Sequence, residues 1–97
     1  MIRVEIISNQ SVQEDVLELI ESQIPDIEYT LTPGVQGKGL KTKKSGDTIW
    51  PELNFRLVSY TSEANAKKID TIMKLIKTQF PDEGISWYFV KALDSLE

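Results

Sequence analysis

The chain carries the same plan twice, on either side of a stretch that has neither a helical nor a strand period, Thr32–Asn54. Before that stretch, I-R-V-E-I-I (2–7) alternates apolar and polar residues. The period of two predicts a strand with Ile2, Val4 and Ile6 on one face. Val12, Val16, Leu19, Ile20 and Gln23 then recur at helical spacing, and S-V-Q-E (11–14) has the form of a capping box, which predicts a helix over 12–23 closed by Pro25. I-E-Y-T-L-T (27–32) alternates again and predicts a second strand. After the stretch, L-N-F-R-L-V-S-Y (53–60) predicts a third strand with Leu53, Phe55 and Leu57 on one side. Ser62 or Thr61 caps a helix with the apolar stripe Ala66, Ile69, Ile72, Met73, Ile76 and Phe80, and Lys67, Lys68, Lys74 and Lys77 face water. Pro81 and Gly84 end that helix, and I-S-W-Y-F-V (85–90) predicts the last strand.

The order β-α-β-loop-β-α-β in 97 residues predicts one α+β domain over 1–97. It has the ferredoxin-like arrangement, a four-stranded antiparallel sheet with two helices on one face. Helices on one face leave the other to be covered. Trp87, Phe89, Tyr60 and Val58 are assigned to that open face, where self-association is the simplest cover.

Composition removes several classes of function. The chain has no Cys and no His, and so lacks thiolate chemistry, the commonest general base and the commonest transition-metal ligand. No carboxylate pair is marked out as an acid/base couple, and the expectation is a protein that is not an enzyme. A net charge of −4 argues against nucleic acid as a partner. No run is long enough for a membrane span, and the start lacks a signal-peptide layout, so the expected place is the cytoplasm.

The period-free stretch holds four of the five glycines, Trp50 and the one dense basic cluster, Lys38, Lys41, Lys43 and Lys44. Loops of this length in compact domains are functional or disordered. G-V-Q-G-K-G (34–39) has the glycines and lysine of an anion-binding loop, because glycine lets backbone N–H groups approach an anion. It is not a Walker A loop, since Leu40 follows Gly39. Two readings stay open: a site for an anion or nucleotide, and a glycine hairpin with solvated lysines. Trp50-Pro51-Glu52 closes the loop, with Trp50 as an anchor or a stacking surface. Asp47 and Glu52 are a thin pair for a hard cation.

Three segments, V-Q-G-K-G (35–39), G-D-T-I-W-P-E-L-N (46–54) and E-G-I-S-W-Y-F-V (83–90), set on the βαββαβ order, resemble the PII-like proteins of the nitrogen regulatory protein P-II superfamily over nearly the whole chain. Gly46, Trp50, Pro51, Glu52 and Asn54 match a glycine–tryptophan–proline–glutamate–asparagine pattern of a bacterial subgroup, and Asp47, Thr48 and Leu53 depart from it. The resemblance implies a homotrimer with the sheets packed around a central axis. It implies that segment 33–52 corresponds to the T-loop, which contacts a transporter or regulator through residues such as Lys41, Lys43, Lys44, Trp50 and Glu52. It also implies a small effector, an adenine nucleotide or another anion, bound between subunits near Gly37, Lys38, Gly39 and Gly84. The family's Thr-Gly-x-x-Gly-Asp-Gly-Lys phosphate segment is replaced by Phe80-Pro81-Asp82-Glu83-Gly84. That departure keeps a second reading in view, a trimeric module that holds its partner constitutively and binds no small molecule.

Overall fold

The computed structural model describes residues 1–37 and 52–96, with Glu52 by its backbone alone. β1 (Ile2–Asn9) leads through a 3-10 turn (10–12) to α1 (Gln13–Gln23) and β2 (Thr30–Gly37). β3 (Glu52–Thr61), α2 (Glu63–Gln79) and β4 (Ile85–Lys91) follow. The sheet order is β2-β3-β1-β4, and all its pairings are antiparallel. This is the expected ferredoxin-like architecture.

Register fixes the faces. Val4, Ile6 and Ser8 stand opposite Ser59, Leu57 and Phe55 on β3, and opposite Phe89, Trp87 and Ile85 on β4. Residues directly opposite in an antiparallel pair share a face. Val4, Ile6, Phe55 and Leu57 are fully buried beneath Val12, Val16, Ile20 and Ile24 of the first helical segment and Ile69, Ile72, Met73 and Ile76 of α2. Ile27, Tyr29, Leu31 and Phe80 pack at the margin of this core. Burying one such side chain is worth about 1.5–3 kcal/mol, so this one face carries most of the fold's stability. Ser59, also buried, donates its hydroxyl to the Glu28 carbonyl (2.7 Å) and ties the chain entering β2 to β3.

Three expectations are corrected. First, Trp87 and Phe89 lie on the helix face, not the open one. The open face of β4 carries Ser86, Tyr88 and Val90, opposite Ile7, Glu5 and Arg3. Second, β2 runs to Gly37, so the first residues of segment 33–52 are strand and not loop. Pro33 and Gly34 sit in a register irregularity between Thr32 and Val35, on the sheet's edge. An edge position does not need the missing proline N–H, and Gly34 has φ of 67°, which glycine adopts without strain. Third, Ser11 is not the cap: the Asn9 side chain accepts from the Ser11 N–H (2.9 Å), and α1 begins without a side-chain cap. The cap of α2 is as expected, with Ser62 accepting from the Asn65 N–H (3.1 Å). Leu53 shares the inward parity of Phe55 and Leu57, as expected, and is half exposed.

Candidate functional site

One end of the sheet gathers the two expected ligand-binding positions that the structure describes. β1 ends there at Asn9, opposite Asn54 at the start of β3; Val35 lies on Asn54's other side, and Gly37 pairs with Glu52. Across the sheet, the Asn9 N–H donates to the Gly84 carbonyl (2.8 Å) and fixes the chain entering β4. Gly37 and Gly84 therefore share this end but flank it on opposite edges. Three interstrand steps of ~4.8 Å put them roughly 14 Å apart. A single small anion does not span both within one chain.

Gly37 has a local reason to be glycine. A Cβ there would fall 2.5 Å from Asn54 Nδ2, so any side chain displaces that amide. Asn54 is nearly buried, and Ser8, fully buried, donates to the Asn9 carbonyl (3.4 Å). The composition reading overlooked Asn9. Its signal in the sequence is an Asx residue between a strand and a helix, which predicts a turn-capping role.

The loop before β4 is closed by its own bonds. The Glu83 N–H donates to the Phe80 carbonyl (3.2 Å), and Lys77 Nζ donates to the carbonyls of Glu83 (2.8 Å) and Pro81 (3.4 Å). Lys77 thereby ties down the backbone of this loop, in which Asp82 and Glu83 directly precede Gly84. Lys38, Gly39, Lys41, Lys43, Lys44, Asp47 and Trp50 lie outside the described residues, as does the Glu52 side chain. Among the described residues, no group of three or more His, Cys, Asp or Glu could hold a metal ion.

The open face carries a charged triad within an apolar surround. Glu5 Oε2 accepts from Arg56 Nε (2.7 Å) and Arg3 Nη2 (3.2 Å). The Arg56 hydrogen bond, aided by Arg3, holds the Glu5 carboxyl below its ordinary value against the opposing effect of burial. Ile7, Val58, Tyr60, Tyr88 and Val90 surround it by register, with Tyr60, Tyr88 and Val90 each more than half exposed. No described element covers this face.

A separate groove of about 440 Å³ lies at the other end of the sheet, under α2, with Ile2, Ala66 and Phe89 as its apolar floor and Glu63, Lys67, Asp70 and Thr71 at its rim. Asp70 accepts from Trp87 Nε1 (2.9 Å) and from Lys74 Nζ (2.9 Å); those two bonds, the tryptophan's first, lower its carboxyl pKa. The groove is formed from the start of β1 and the expected ligand site lies at its end, so the two are separate places on the fold. Sequence reasoning missed the groove because it assigned Phe89 to the wrong face.

No family model and no curated protein matches the chain. Solved structures do match the fold. A PII-like signaling protein of Thermus thermophilus aligns at 24% identity over 92% of this chain and 83% of its own, with a TM-score of 0.62. CPII of Thiomonas intermedia, bound to ADP and bicarbonate, aligns at 16% identity over 92% and 82%, with a TM-score of 0.65. The same nitrogen regulatory PII-like protein bound to ADP, AMP and bicarbonate aligns at 12% identity over 92% and 86%, with a TM-score of 0.67. The chain has the PII-like fold. Among the described residues, no helix is long and apolar enough to cross a membrane.

Proposed function

We propose that this chain is a PII-like signalling protein of the cytoplasm that acts without catalysis. Three copies associate through the open sheet face, a small effector binds between them, and segment 33–52 contacts a protein partner, a transporter or regulator. The observation that carries the reading is the placement of Gly37 and Gly84 on opposite flanks of one sheet end. Too far apart to share a small ligand within one chain, they suit a cleft to which one copy lends the Gly37 flank and its neighbour the Gly84 flank. Lys38 and Gly39, which follow Gly37 directly, complete the effector contacts. Lys41, Lys43, Lys44, Trp50 and Glu52 form the partner-contacting part.

ADP, AMP and bicarbonate, held by a structural neighbour, define the ligands to try first. The effector orders or releases the loop, an order–disorder switch. The test is thermal unfolding with ADP, AMP, ATP and bicarbonate, each alone and in pairs. A true effector at a hundred times its dissociation constant adds about 2.7 kcal/mol of stability, and Lys38→Ala removes that gain. No shift with any ligand overturns the effector reading.

Asp82 and Glu83 beside Gly84 favour the second reading, a constitutive trimeric module with no ligand, because carboxylates repel phosphate. Thermal unfolding that ignores every ligand while the partner still binds would establish it.

A further inference from the structure

The two edges of the sheet differ. β2 is blunted by Pro33 and by the irregularity at Gly34, devices that discourage strand addition. β4 has none of these: I-S-W-Y-F-V-K contains no proline, no glycine and no charge before Lys91. The Asn9 N–H bonds the Gly84 carbonyl, and the Ala92 N–H bonds the Met1 carbonyl (3.0 Å). Alternation then turns the main-chain groups of Gly84, Ser86, Tyr88, Val90 and Ala92 toward β1. Those of Ile85, Trp87, Phe89 and Lys91 point outward, and no described strand pairs with them. Beside this edge, on the helix side, lies the groove floored by Ile2, Ala66 and Phe89.

The chain also carries an unburied segment that suits this edge. Residues 92–97, A-L-D-S-L-E, hold two leucines and two acids. Leu93 is 81% and Leu96 92% exposed. Asp70 is already paired at the groove's rim, whereas the Lys67 ammonium is exposed and makes no ion pair among the described residues. In an extended strand Asp94 and Leu96 project to one side and Leu93 to the other.

We propose that the outer edge of β4 receives the C-terminal tail of a second copy of this chain as an added strand, with Leu96 in the groove, Asp94 against Lys67, and Leu93 against Tyr88 and Val90. Main-chain bonds to the free edge supply the register, and the side chains supply the fit, as in strand-addition complexes. The tail's own chain is the poorer occupant. Ala92 still pairs with Met1, so folding back onto its own β4 would put Leu93 in the turn and not against Tyr88 and Val90. The contact joins unlike surfaces and so propagates head to tail, closing a ring where the rotation permits. It rests on the self-association proposed above and is independent of any effector.

The test is a dilution series by analytical ultracentrifugation on full-length chains: wild type, Leu96→Ser, Thr71→Lys, Lys67→Glu, Asp94→Lys and the charge-swapped pair Lys67→Glu/Asp94→Lys. Leu96 and Thr71 are exposed, so neither change threatens folding, which circular dichroism verifies. Leu96→Ser is expected to weaken association about tenfold or more, each charge reversal about threefold, and the swapped pair to recover toward wild type. Thr71→Lys, which crowds the groove's rim, is expected to weaken association as well. Unchanged dissociation in Leu96→Ser, or no recovery in the pair, overturns the tail contact; if the assembly keeps its size, trimerisation through the open face survives. Effects on thermal stability that are independent of concentration would mean that the tail folds onto its own chain, and also overturn it. A wild type that is monomeric at every concentration overturns both this contact and the trimer.

Discussion

The two faces of the sheet are built to different rules. On the helix face, Val4, Ile6, Phe55 and Leu57 are wholly buried, and the two serines among them, Ser8 and Ser59, both bond backbone carbonyls. On the open face, a carboxylate shared by two arginines sits among exposed Tyr60, Tyr88 and Val90. A domain of this size gains its stability from one apolar layer, so the second face is available for association. Pairing both arginines with Glu5 before any partner arrives lowers the penalty of covering those charges, since buried ions must be compensated.

The sharpest way to break this contrast is to damage the covered face. Phe55→Ala should cost about 3–5 kcal/mol in urea unfolding, because it opens a cavity where the sheet meets the helices. Ile6→Val should cost about 0.5–1.5 kcal/mol at the same interface. If either change is silent, the apolar layer is not the source of stability.

Changes on the open face should act more weakly on the fold. Glu5→Gln removes the shared anion and leaves Arg3 and Arg56 facing each other. The pair with Arg56 is only partly shielded from water, so the loss is expected at about 1 kcal/mol. The same carboxylate sets a pH dependence. Glu5 and Asp70 are both held below their ordinary values in the folded chain. Their stabilisation is therefore complete above the ordinary carboxylate range and disappears as pH falls through the lowered folded values. Acid titration of unfolding should show a shallower decline in Glu5→Gln than in wild type, and an identical slope would contradict the triad. Smallest of all, Tyr88→Ser should change the monomer's stability by no more than about 0.5 kcal/mol, while weakening self-association. Gly37→Ala belongs to neither face. It displaces a single amide, that of Asn54, at roughly 1 kcal/mol, and its larger effect is expected on effector binding.

The two halves and their helices were legible because their periods are clean: the stripe Ala66–Ile69–Ile72–Met73–Ile76 admits only one buried face. β4 was not, since I-S-W-Y-F-V is apolar at both parities and only the pairing Ile6↔Trp87 decides which residues meet the helices. The end of β2 was hidden for a different reason. Pro33 and Gly34 signal a loop, yet an edge strand tolerates both where its register breaks. For the candidate site, the sequence offered Gly37 and Gly84 without their separation and without the approach of Asn54 to Gly37, both of which depend on strand register. It also offered no hint of the groove, whose walls come from β1, α2 and β4 and so from both ends of the chain.

Assembly, effector cleft and tail contact all depend on the open face being an association surface. Native mass spectrometry across a concentration series tests this most directly. The predicted result is a dominant species at three times the 11.0 kDa of one chain, shifted toward lower mass by Tyr88→Ser. A single species at 11.0 kDa at every concentration would contradict it.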